Sequence, residues 1–336
     1  MNMTEIAAVA KPASIRLAAV KTGVKNNALA EIANAIKGRS VEICAANEED
    51  VSAAQKNHLA APLLKRLKFD REKIGQVIAG IESLIALDDP VGRTLAATEL
   101  DAGLELFKIS CPIGVIGVVF ESRPDALVQI STLCLKSGNA VLLKGGSEAA
   151  RTNRVLTETI AEASEKAGLP DGWIQLLETR QDVARMLALD EYIDLVIPRG
   201  SNEFVRYIMN NTDIPVLGHA EGICHVYVDG DADLQMAVNI AVDSKCQYVA
   251  VCNAAETLLV DSAIAGKFLP QVKAALEAKG VELRGCQRTA AIIDVKPANE
   301  ADWSTEYLDY ILSIKLVGGL DEAIDHINRY GSRHTD

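Results

Sequence analysis

The chain has 336 residues, of which 49% are hydrophobic and 24% are charged, and its formal net charge is −12. Length and composition are typical of a globular protein with ample core material and two domains of ordinary size. The acidic balance and the lack of a Lys/Arg-rich run argue against a nucleic-acid surface, but a local basic site for an anionic ligand stays open.

The number and spacing of the cysteines and the absence of long apolar runs indicate the cellular compartment of the protein. The cysteines are Cys44, Cys111, Cys134, Cys224, Cys246, Cys252 and Cys286. Their number is odd and they form no CxxC pair, which argues against a disulfide framework and a structural zinc site. The N-terminus lacks a signal-peptide pattern, and no apolar run approaches the ~18–20 residues that span a bilayer. We therefore expect a cytoplasmic protein without a membrane segment and without a bound metal.

Residues 4 to about 90 have the periodicity of packed helices. Apolar residues recur at intervals of three and four: Leu29, Ile32, Ile36, Ile74, Val77, Ile78, Ile81 and Leu84. Asn47 or Asp50 is a candidate cap for a helix that carries Val51 and Ala54. Nothing in this region indicates catalysis.

A β-hairpin is predicted next. The alternating runs 94–100 and 104–109 flank an Asp101-Ala102-Gly103 turn. An isolated hairpin is marginal in water and usually pairs with something else. We therefore expect segment 94–112 to be an oligomerisation hairpin.

Strands and helices alternate from Ile113 onward. Strands are predicted at 115–120, 140–144, 173–177, 195–197, 216–217 and 225–228. Helices are predicted at 125–136, 149–167, 183–189 and 203–209. The first two strands are near-continuous apolar runs, as in sheets covered on both faces. The pattern predicts a doubly wound parallel sheet.

A second α/β segment is predicted after Asp229. Its strands fall at 257–260 and 310–316, and its helices at 234–243, 263–279 and 321–328. The boundary is weakly marked, since no low-complexity linker or repeat accompanies it. The expected organisation is residues 1–228 for the N-terminal helices and nucleotide-binding domain, and 229–336 for a catalytic domain.

Polar residues follow three of the predicted strands: Glu121-Ser122-Arg123-Pro124, Lys144-Gly145-Gly146-Ser147-Glu148 and Pro198-Arg199-Gly200-Ser201-Asn202. Ligands of doubly wound sheets bind beyond the carboxyl ends of the strands. Glycine lets backbone N–H groups approach a phosphate, and a helix start favours anions. There is no GxGxxG sequence, so an orthodox dinucleotide fingerprint is absent, and each loop taken singly could be an ordinary βα turn.

Arg123 has two interpretations. It either pairs with Glu121 as a structural ion pair, or it faces the site and binds a phosphate or carboxylate in a bidentate manner. The residues alone favour the structural pairing slightly.

Cys252 is the candidate nucleophile. Small residues surround it in the stretch 247–257, which leaves room for a carbonyl, and Asn253 with the local N–H groups could hold an oxyanion. The alternative is that Cys252 is a small buried thiol without a catalytic role, as most free cysteines are.

The cluster of His219, Glu221, Cys224 and His225 invites a metal interpretation, but its ligand spacing is poor. His225 alternates into an apolar strand and is expected in the core. His219, at a strand end, is the better site candidate.

Several long stretches resemble the γ-glutamyl phosphate reductase family, the proline-biosynthetic branch of the aldehyde dehydrogenase superfamily. The matching stretches are 113–124, 135–149, 189–201, 222–229, 251–259 and 326–332. The resemblance implies an aldehyde-dehydrogenase-like fold, with a Rossmann-like cofactor domain, a second α/β catalytic domain and a protruding hairpin. It also implies NADPH-dependent reduction of L-glutamyl 5-phosphate to glutamate 5-semialdehyde through a thioester on Cys252.

The resemblance further assigns the cofactor contacts. Lys144, Gly146 and Ser147 match the adenosine-ribose contact, and the small Ser147 leaves room for a 2′-phosphate. Gly200 and Ser201 match the turn over the pyrophosphate. Glu306 matches the nicotinamide-ribose glutamate.

Two positions depart from the wider superfamily. Arg123 stands where hydrolytic relatives carry an oxyanion-hole asparagine, and we expect it to bind the leaving phosphate. His219 stands where they carry the glutamate that activates water, as suits a reductase that protects its thioester.

Other expectations concern assembly and alternatives. Family members run on for some tens of residues beyond Asp336, so the catalytic domain is expected to lack the family's C-terminal tail. A homo-oligomer is expected, and glutamate 5-kinase is a candidate partner. The alternatives are a non-catalytic relative that keeps the nucleotide fold, and an acylating dehydrogenase that uses another acyl phosphate.

Overall fold

The computed structural model describes residues 2–59, 61–200, 202–218 and 221–335. The chain folds as two units, 1–219 and 220–336, and each contains its own parallel sheet. The predicted site residues Ser201 and His219 lie outside the described residues. No helix within the described ranges combines the length and apolar character that crossing a membrane requires.

The first unit begins with the predicted helical layer. Its helices are α1 (Met3–Ala18), α2 (Thr22–Gly38), α3 (Ser40–Lys56), α4 (Ala61–Leu67) and α5 (Arg71–Ala86). The predicted stripe is confirmed on α2, where Leu29, Ile32 and Ile36 are fully buried. Burial of such a stripe, rather than intrinsic helix propensity, stabilises helices of this length.

The hairpin is also confirmed. Strands β1 (Thr94–Asp101) and β2 (Leu104–Ile109) pair antiparallel around a turn that contains Gly103 at φ 76°. Every residue of both strands is exposed. Two exposed strands alone have little apolar burial to stabilise them.

A parallel sheet of order β5-β4-β3-β6 forms the centre of this unit. Its strands are β3 (Val115–Val119), β4 (Ala140–Lys144), β5 (Ile174–Leu176) and β6 (Leu195–Pro198). Its helices are α6 (Pro124–Lys136), α7 (Ala150–Lys166), α8 (Arg180–Met186) and α9 (Asn202–Asn210). All residues of β3 and β4 are buried, as the continuous apolar runs predict. The strand predicted at 216–217 is reduced to one parallel bridge between Val216 and Val196.

Ion pairs and caps join the helical layer to the helices that cover the sheet. Lys25 Nζ lies 2.6 Å from Asp89 and also donates to the carbonyl of Lys136 on α6. Asp50 does not cap its own helix, because it lies inside α3. Its carboxylate instead accepts from the N–H (2.9 Å) and hydroxyl (2.8 Å) of Thr152, and so satisfies donors in the first turn of α7.

The second unit contains a parallel sheet of order β10-β9-β11-β8-β7. Its strands are β7 (Cys224–Val228), β8 (Ala255–Asp261), β9 (Glu282–Gly285), β10 (Lys296–Pro297) and β11 (Ile311–Val317). Its helices are α10 (Leu234–Cys246), α11 (Ala265–Glu277), α12 (Gln287–Ala290) and α13 (Leu320–Tyr330). Strands β9 and β10 are absent from the sequence prediction.

The division between the units differs from the expected one. The strand predicted at 225–228 as the end of the first sheet is β7, and it pairs in parallel with β8 of the second sheet. The units therefore divide between 219 and 220 rather than between 228 and 229. Periodicity identifies a strand but does not say which sheet the strand joins.

Candidate active site

Three strands of the first sheet end at the same level. Val119, the last residue of β3, is in register with Lys144 at the end of β4 and with Pro198 at the end of β6. Because parallel strands share one carboxyl edge, the three polar loops emerge side by side there. This is the arrangement that the sequence predicts for a ligand-binding edge.

Glu148 joins two of these loops. Its Oε1 accepts hydrogen bonds from the backbone N–H (2.7 Å) and the hydroxyl of Ser122. Burial alone would raise the pKa of Glu148, but the bonds from Ser122 and the charge of Lys144 outweigh it, and the pKa lies below its ordinary value. A Cβ on Gly146 would lie 1.9 Å from Glu148 Oε1, so a side chain at this position would have to displace the Glu148 carboxylate. The sequence alone gives no sign of this role of Glu148.

Lys144 and its glycine neighbour form a compact turn. The lysine side chain is buried, and its Nζ donates to the carbonyl of Gly145. A Cβ on Gly145 would lie 2.1 Å from Asn153 Nδ2, so the turn packs directly on α7. Gly200 is similarly enclosed by Phe204 and Glu121, at 3.1 and 3.2 Å from its hypothetical Cβ.

A cavity of about 190 Å³ lies beside Ser147. Its lining comprises Asp50, Ala53, Ala54, Asn57, Leu59, Ser147, Glu148 and Arg151. Arg151 is half exposed and pairs with Glu49 at 3.0 Å and with Asp50 at 3.3 Å. A hydroxyl and a cation thus border the cavity, together with the carboxylates of Asp50 and Glu148.

Arg123 pairs with a residue that the sequence analysis did not consider. Its Nη2 lies 2.9 Å from Oδ2 of Asp125, in the first turn of α6, so the structural pairing expected with Glu121 is wrong. The Arg123 side chain remains 52% exposed, whereas that of Asp125 is 9% exposed. About half of the Arg123 side chain therefore stays accessible to a ligand.

In the second unit, Cys252 lies in the loop between α10 and β8 and is partly buried. Ala254 N–H bonds the carbonyl of Val251 and forms a tight turn around the cysteine. Among the described residues, the N–H groups of Cys252 and Asn253 have no partner, and the Asn253 side chain is exposed. The turn thus presents two backbone donors beside the thiol.

Gly222 brings the cysteine loop together with Glu306. A Cβ on Gly222 would lie 1.7 Å from the carbonyl oxygen of Cys252, so the two backbones touch. The N–H of the same glycine donates to Glu306 Oε1 at 3.0 Å. The second unit thereby places the predicted nucleophile and the predicted cofactor-binding carboxylate around one residue.

A buried ion pair lies at the two ends of the same loop. Lys245 Nζ, in the last turn of α10, lies 2.6 Å from Glu256 Oε2 in β8, and both side chains are at most 1% exposed. Burial raises the pKa of Glu256 to about 6 although Lys245 opposes it. No local pattern in the sequence signals this pair.

The suspected metal residues form other contacts. Cys224 Sγ donates to the carbonyl of Cys252 at 3.3 Å, and His225 is buried beside His326, with ring centroids 5.4 Å apart. No three His, Cys, Asp or Glu side chains in the described part of the chain are grouped to hold a metal ion.

Comparisons with known proteins identify relatives over nearly the whole chain. The profile of the aldehyde dehydrogenase family matches residues 2–292. A γ-glutamyl phosphate reductase of Pelotomaculum thermopropionicum is 67% identical over 336 residues, which are 100% of this chain and 77% of that protein.

Solved structures agree with these sequence matches. The γ-glutamyl phosphate reductase of Thermotoga maritima superposes with a TM-score of 0.95 at 40% identity, covering 99% of this chain and 81% of that one. An acetylating aldehyde dehydrogenase of Geobacillus thermoglucosidasius shares the fold at a TM-score of 0.64 and 18% identity, covering 98% and 78%. The predicted fold class is thus confirmed.

Proposed function

The chain belongs to the aldehyde dehydrogenase family and, within it, to the γ-glutamyl phosphate reductases, and from this we propose the reaction that it catalyses. It reduces L-glutamyl 5-phosphate to L-glutamate 5-semialdehyde with NADPH and releases phosphate, the second step of proline biosynthesis from glutamate. The observation that carries the proposal is the contact of Gly222 with both the Cys252 carbonyl and Glu306.

Cys252 acts as the nucleophile in this proposal. Its thiolate attacks the acyl carbon, the C–S bond forms, and the bond to the phosphate oxygen breaks, so that phosphate leaves with the electron pair. The N–H groups of Cys252 and Asn253, which have no partner within the described residues, stabilise the oxyanion that develops during the attack. The product of this step is a thioester on the enzyme.

When bound, NADPH supplies a hydride to the thioester carbon. The same N–H groups hold the resulting oxyanion until the C=O bond reforms and the C–S bond breaks. This releases the aldehyde and regenerates the Cys252 thiolate. The hydride supplies both electrons of the reduction, so that no further reductant is needed.

Residues at two places hold the cofactor. We assign the adenosine ribose to Lys144, Gly146 and Ser147, and the 2′-phosphate to the cavity bordered by Ser147 and Arg151. Gly200 and Ser201 contact the pyrophosphate. Glu306 accepts from the nicotinamide ribose while its Oε1 remains bound to Gly222.

Arg123 and His219 complete the assignment. The half-exposed side chain of Arg123 binds the substrate's phosphate. His219 stands where hydrolytic relatives carry a water-activating carboxylate, and the loss of that carboxylate protects the thioester from hydrolysis.

We also propose a homo-oligomer and a cytoplasmic location. The exposed hairpin strands provide an apolar surface for a second copy of the chain. All seven cysteines are free thiols, as a catalytic thiol in a reducing compartment requires. An enzyme that phosphorylates the side-chain carboxylate of glutamate, such as glutamate 5-kinase, must supply the substrate.

The test is phosphate-dependent reduction of NADP⁺ by glutamate 5-semialdehyde, with Cys252→Ser as the control. We expect turnover that needs phosphate, prefers NADP⁺ over NAD⁺ and falls at least about 1,000-fold in Cys252→Ser. Turnover with acetaldehyde but not with the semialdehyde would instead indicate another acyl phosphate. Absence of turnover with either aldehyde would overturn the proposed function.

A further inference from the structure

The cysteine loop is held at both ends by one buried ion pair. Lys245 precedes the last residue of α10, and Glu256 is the second residue of β8, so their contact closes a ring around the loop that carries Cys252. Loops move most where few buried groups hold them. A contact of 2.6 Å between fully buried side chains fixes the separation of the two ends.

Glu256 also reaches the segment that carries Glu306. Its second oxygen, Oε1, accepts from the N–H of Leu308 at 3.3 Å. Leu308 has φ 52°, a left-handed conformation that costs a non-glycine residue on the order of 1 kcal/mol or more. The bond to Glu256 helps hold this strained residue, and Glu306 lies two positions before it.

The residue between them completes the connection. The ring of Tyr307 lies 6.0 Å from Lys245 Nζ, and its hydroxyl bonds both Asp302 (2.7 Å) and Ser313 (2.8 Å). Lys245 is therefore held by Glu256 on one side and by an anchored aromatic ring on another. The cysteine loop and the Glu306 segment share this buried polar centre.

A contribution to the stability of the fold does not by itself explain why such a buried pair is present. Burying two charges costs several kcal/mol each, and their replacement by apolar residues of similar size is often neutral or stabilising. The pair does, however, connect both ends of the nucleophile loop to the segment that carries Glu306. Its position thus favours a geometric role.

We propose that Glu256, with Lys245, is a positioning pair that sets the Cys252 loop against the Glu306 segment. Neither residue reacts with the substrate. The inference rests on the proposed function for its effect on turnover, but its effect on the thiol is independent of that function.

The test compares the double variant Lys245→Met/Glu256→Gln with the wild type. The double variant leaves no unpaired buried charge, and the Gln oxygen can still accept from Leu308. Three quantities are measured: the melting temperature, the steady-state constants, and the rate of Cys252 alkylation by iodoacetamide, followed by peptide mass mapping. Lys273→Met/Glu277→Gln is the matched control, because this pair lies on α11 and is not buried, with Lys273 21% and Glu277 53% exposed.

We expect the double variant to keep KM for NADP⁺ within about twofold while kcat falls at least about tenfold. Its Cys252 alkylation rate should change at least about threefold, and the control should match the wild type. If the double variant does not fold, Glu256→Asp retains the charge but shortens its reach, and the same changes are expected in smaller measure.

Wild-type kcat and alkylation in a folded variant would overturn the proposal. If the wild type is inactive and the variant still shows an altered alkylation rate, the proposed function is wrong. The positioning role of the pair is then still supported. Alkylation reports on the loop without turnover, so that the two failures are distinguishable.

Discussion

The carboxylate of Glu306 accepts a hydrogen bond of 3.0 Å from the backbone N–H of Gly222, 84 positions earlier in the chain. The same glycine presses its Cα against the carbonyl oxygen of Cys252. Gly222 therefore acts as a spacer of minimal size between two residues to which we assign chemistry. Any side chain at this position has to displace one of them.

Gly222→Ala is predicted to misplace the cysteine loop. A methyl group 1.7 Å from the Cys252 oxygen forces a backbone shift on the order of 1 Å, which can lower kcat about 100-fold. We expect an overpacking cost of about 1–3 kcal/mol in the free energy of unfolding. Gly266→Ala is the matched control, because its Cβ meets nothing within 4 Å on α11. Near-normal kcat in folded Gly222→Ala would contradict the assigned spacing.

Ser147→Glu is predicted to reverse the cofactor preference. The new carboxylate would repel a 2′-phosphate in the cavity that Ser147 borders, and Glu148 beside it adds to the negative charge. KM for NADP⁺ should rise about tenfold, while KM for NAD⁺ stays within about twofold. Ser147→Ala, which removes the hydroxyl without adding charge, should change the NADP⁺ value less. Equal increases in KM for NADP⁺ and for NAD⁺ would indicate that the 2′-phosphate binds elsewhere.

Arg123→Ala is predicted to weaken binding of the acyl phosphate. Loss of a charge-assisted contact worth about 1.5–3 kcal/mol should raise KM for phosphate in the reverse reaction at least about tenfold, with KM for NADP⁺ nearly unchanged. Asp125→Asn is the control, because it removes the ion pair but keeps the cation. That variant should bind phosphate at least as well as the wild type. A parallel loss for phosphate and nucleotide would argue against the assignment.

The buried His326 is predicted to make the folded chain less stable as the pH falls. Burial, then the charges of Lys315, His225 and Arg329, lower its pKa to about 3 in the folded chain. The unfolded chain binds a proton near pH 6.5 and the folded chain does not, so the folded state is most favoured above pH 6.5. The free energy of unfolding should fall from this group by up to about 1.4 kcal/mol per pH unit between about 6.5 and 3.

The measurement for His326 is urea unfolding at several pH values between 7 and 4.5. His326→Asn keeps an acceptor for Lys315 Nζ, which lies 2.9 Å from His326 Nδ1, and should flatten the pH dependence. The same substitution at the exposed His58 should leave the dependence unchanged. Parallel curves for wild type and His326→Asn would show that this histidine titrates normally.

Phe107→Glu is predicted to weaken self-association. Phe107 is 51% exposed on a hairpin whose other apolar residues are equally uncovered. A charge there should shift the molar mass measured by light scattering toward the monomer at micromolar concentration. Ile15→Glu, at an exposed apolar site on α1, is the control. A monomeric wild-type protein would refute the predicted role of the hairpin.

The sheet of the first unit could be predicted because its central strands have a recognisable local sequence pattern. Strands β3 and β4 are buried on both faces and therefore read as continuous apolar runs. Strand β9 is hard to find in this way, because it has only four residues, and two of them are the charged Glu282 and Arg284, which pair with each other at 3.0 Å. Its strand character comes from pairing with β11 and not from its own residues.

The sequence proposes the residues of the candidate site but not the contacts between them. Small neighbours and a resemblance singled out Cys252, and strand ends singled out Lys144. The bonds of Glu148 to Ser122 and of Glu306 to Gly222 join positions 26 and 84 apart. Contacts between residues so far apart in the sequence depend on tertiary packing, which no local sequence pattern predicts.

The contact of Asp50 with Thr152 limits how this protein can be dissected. A fragment that starts at the first strand of the parallel sheet would leave the first-turn donors of α7 without their carboxylate and the apolar faces of α6 and α7 uncovered. The parallel sheet of the first unit therefore cannot be excised on its own. Protein engineers who wish to transplant its candidate ligand-binding edge will have to carry the first ninety residues with it.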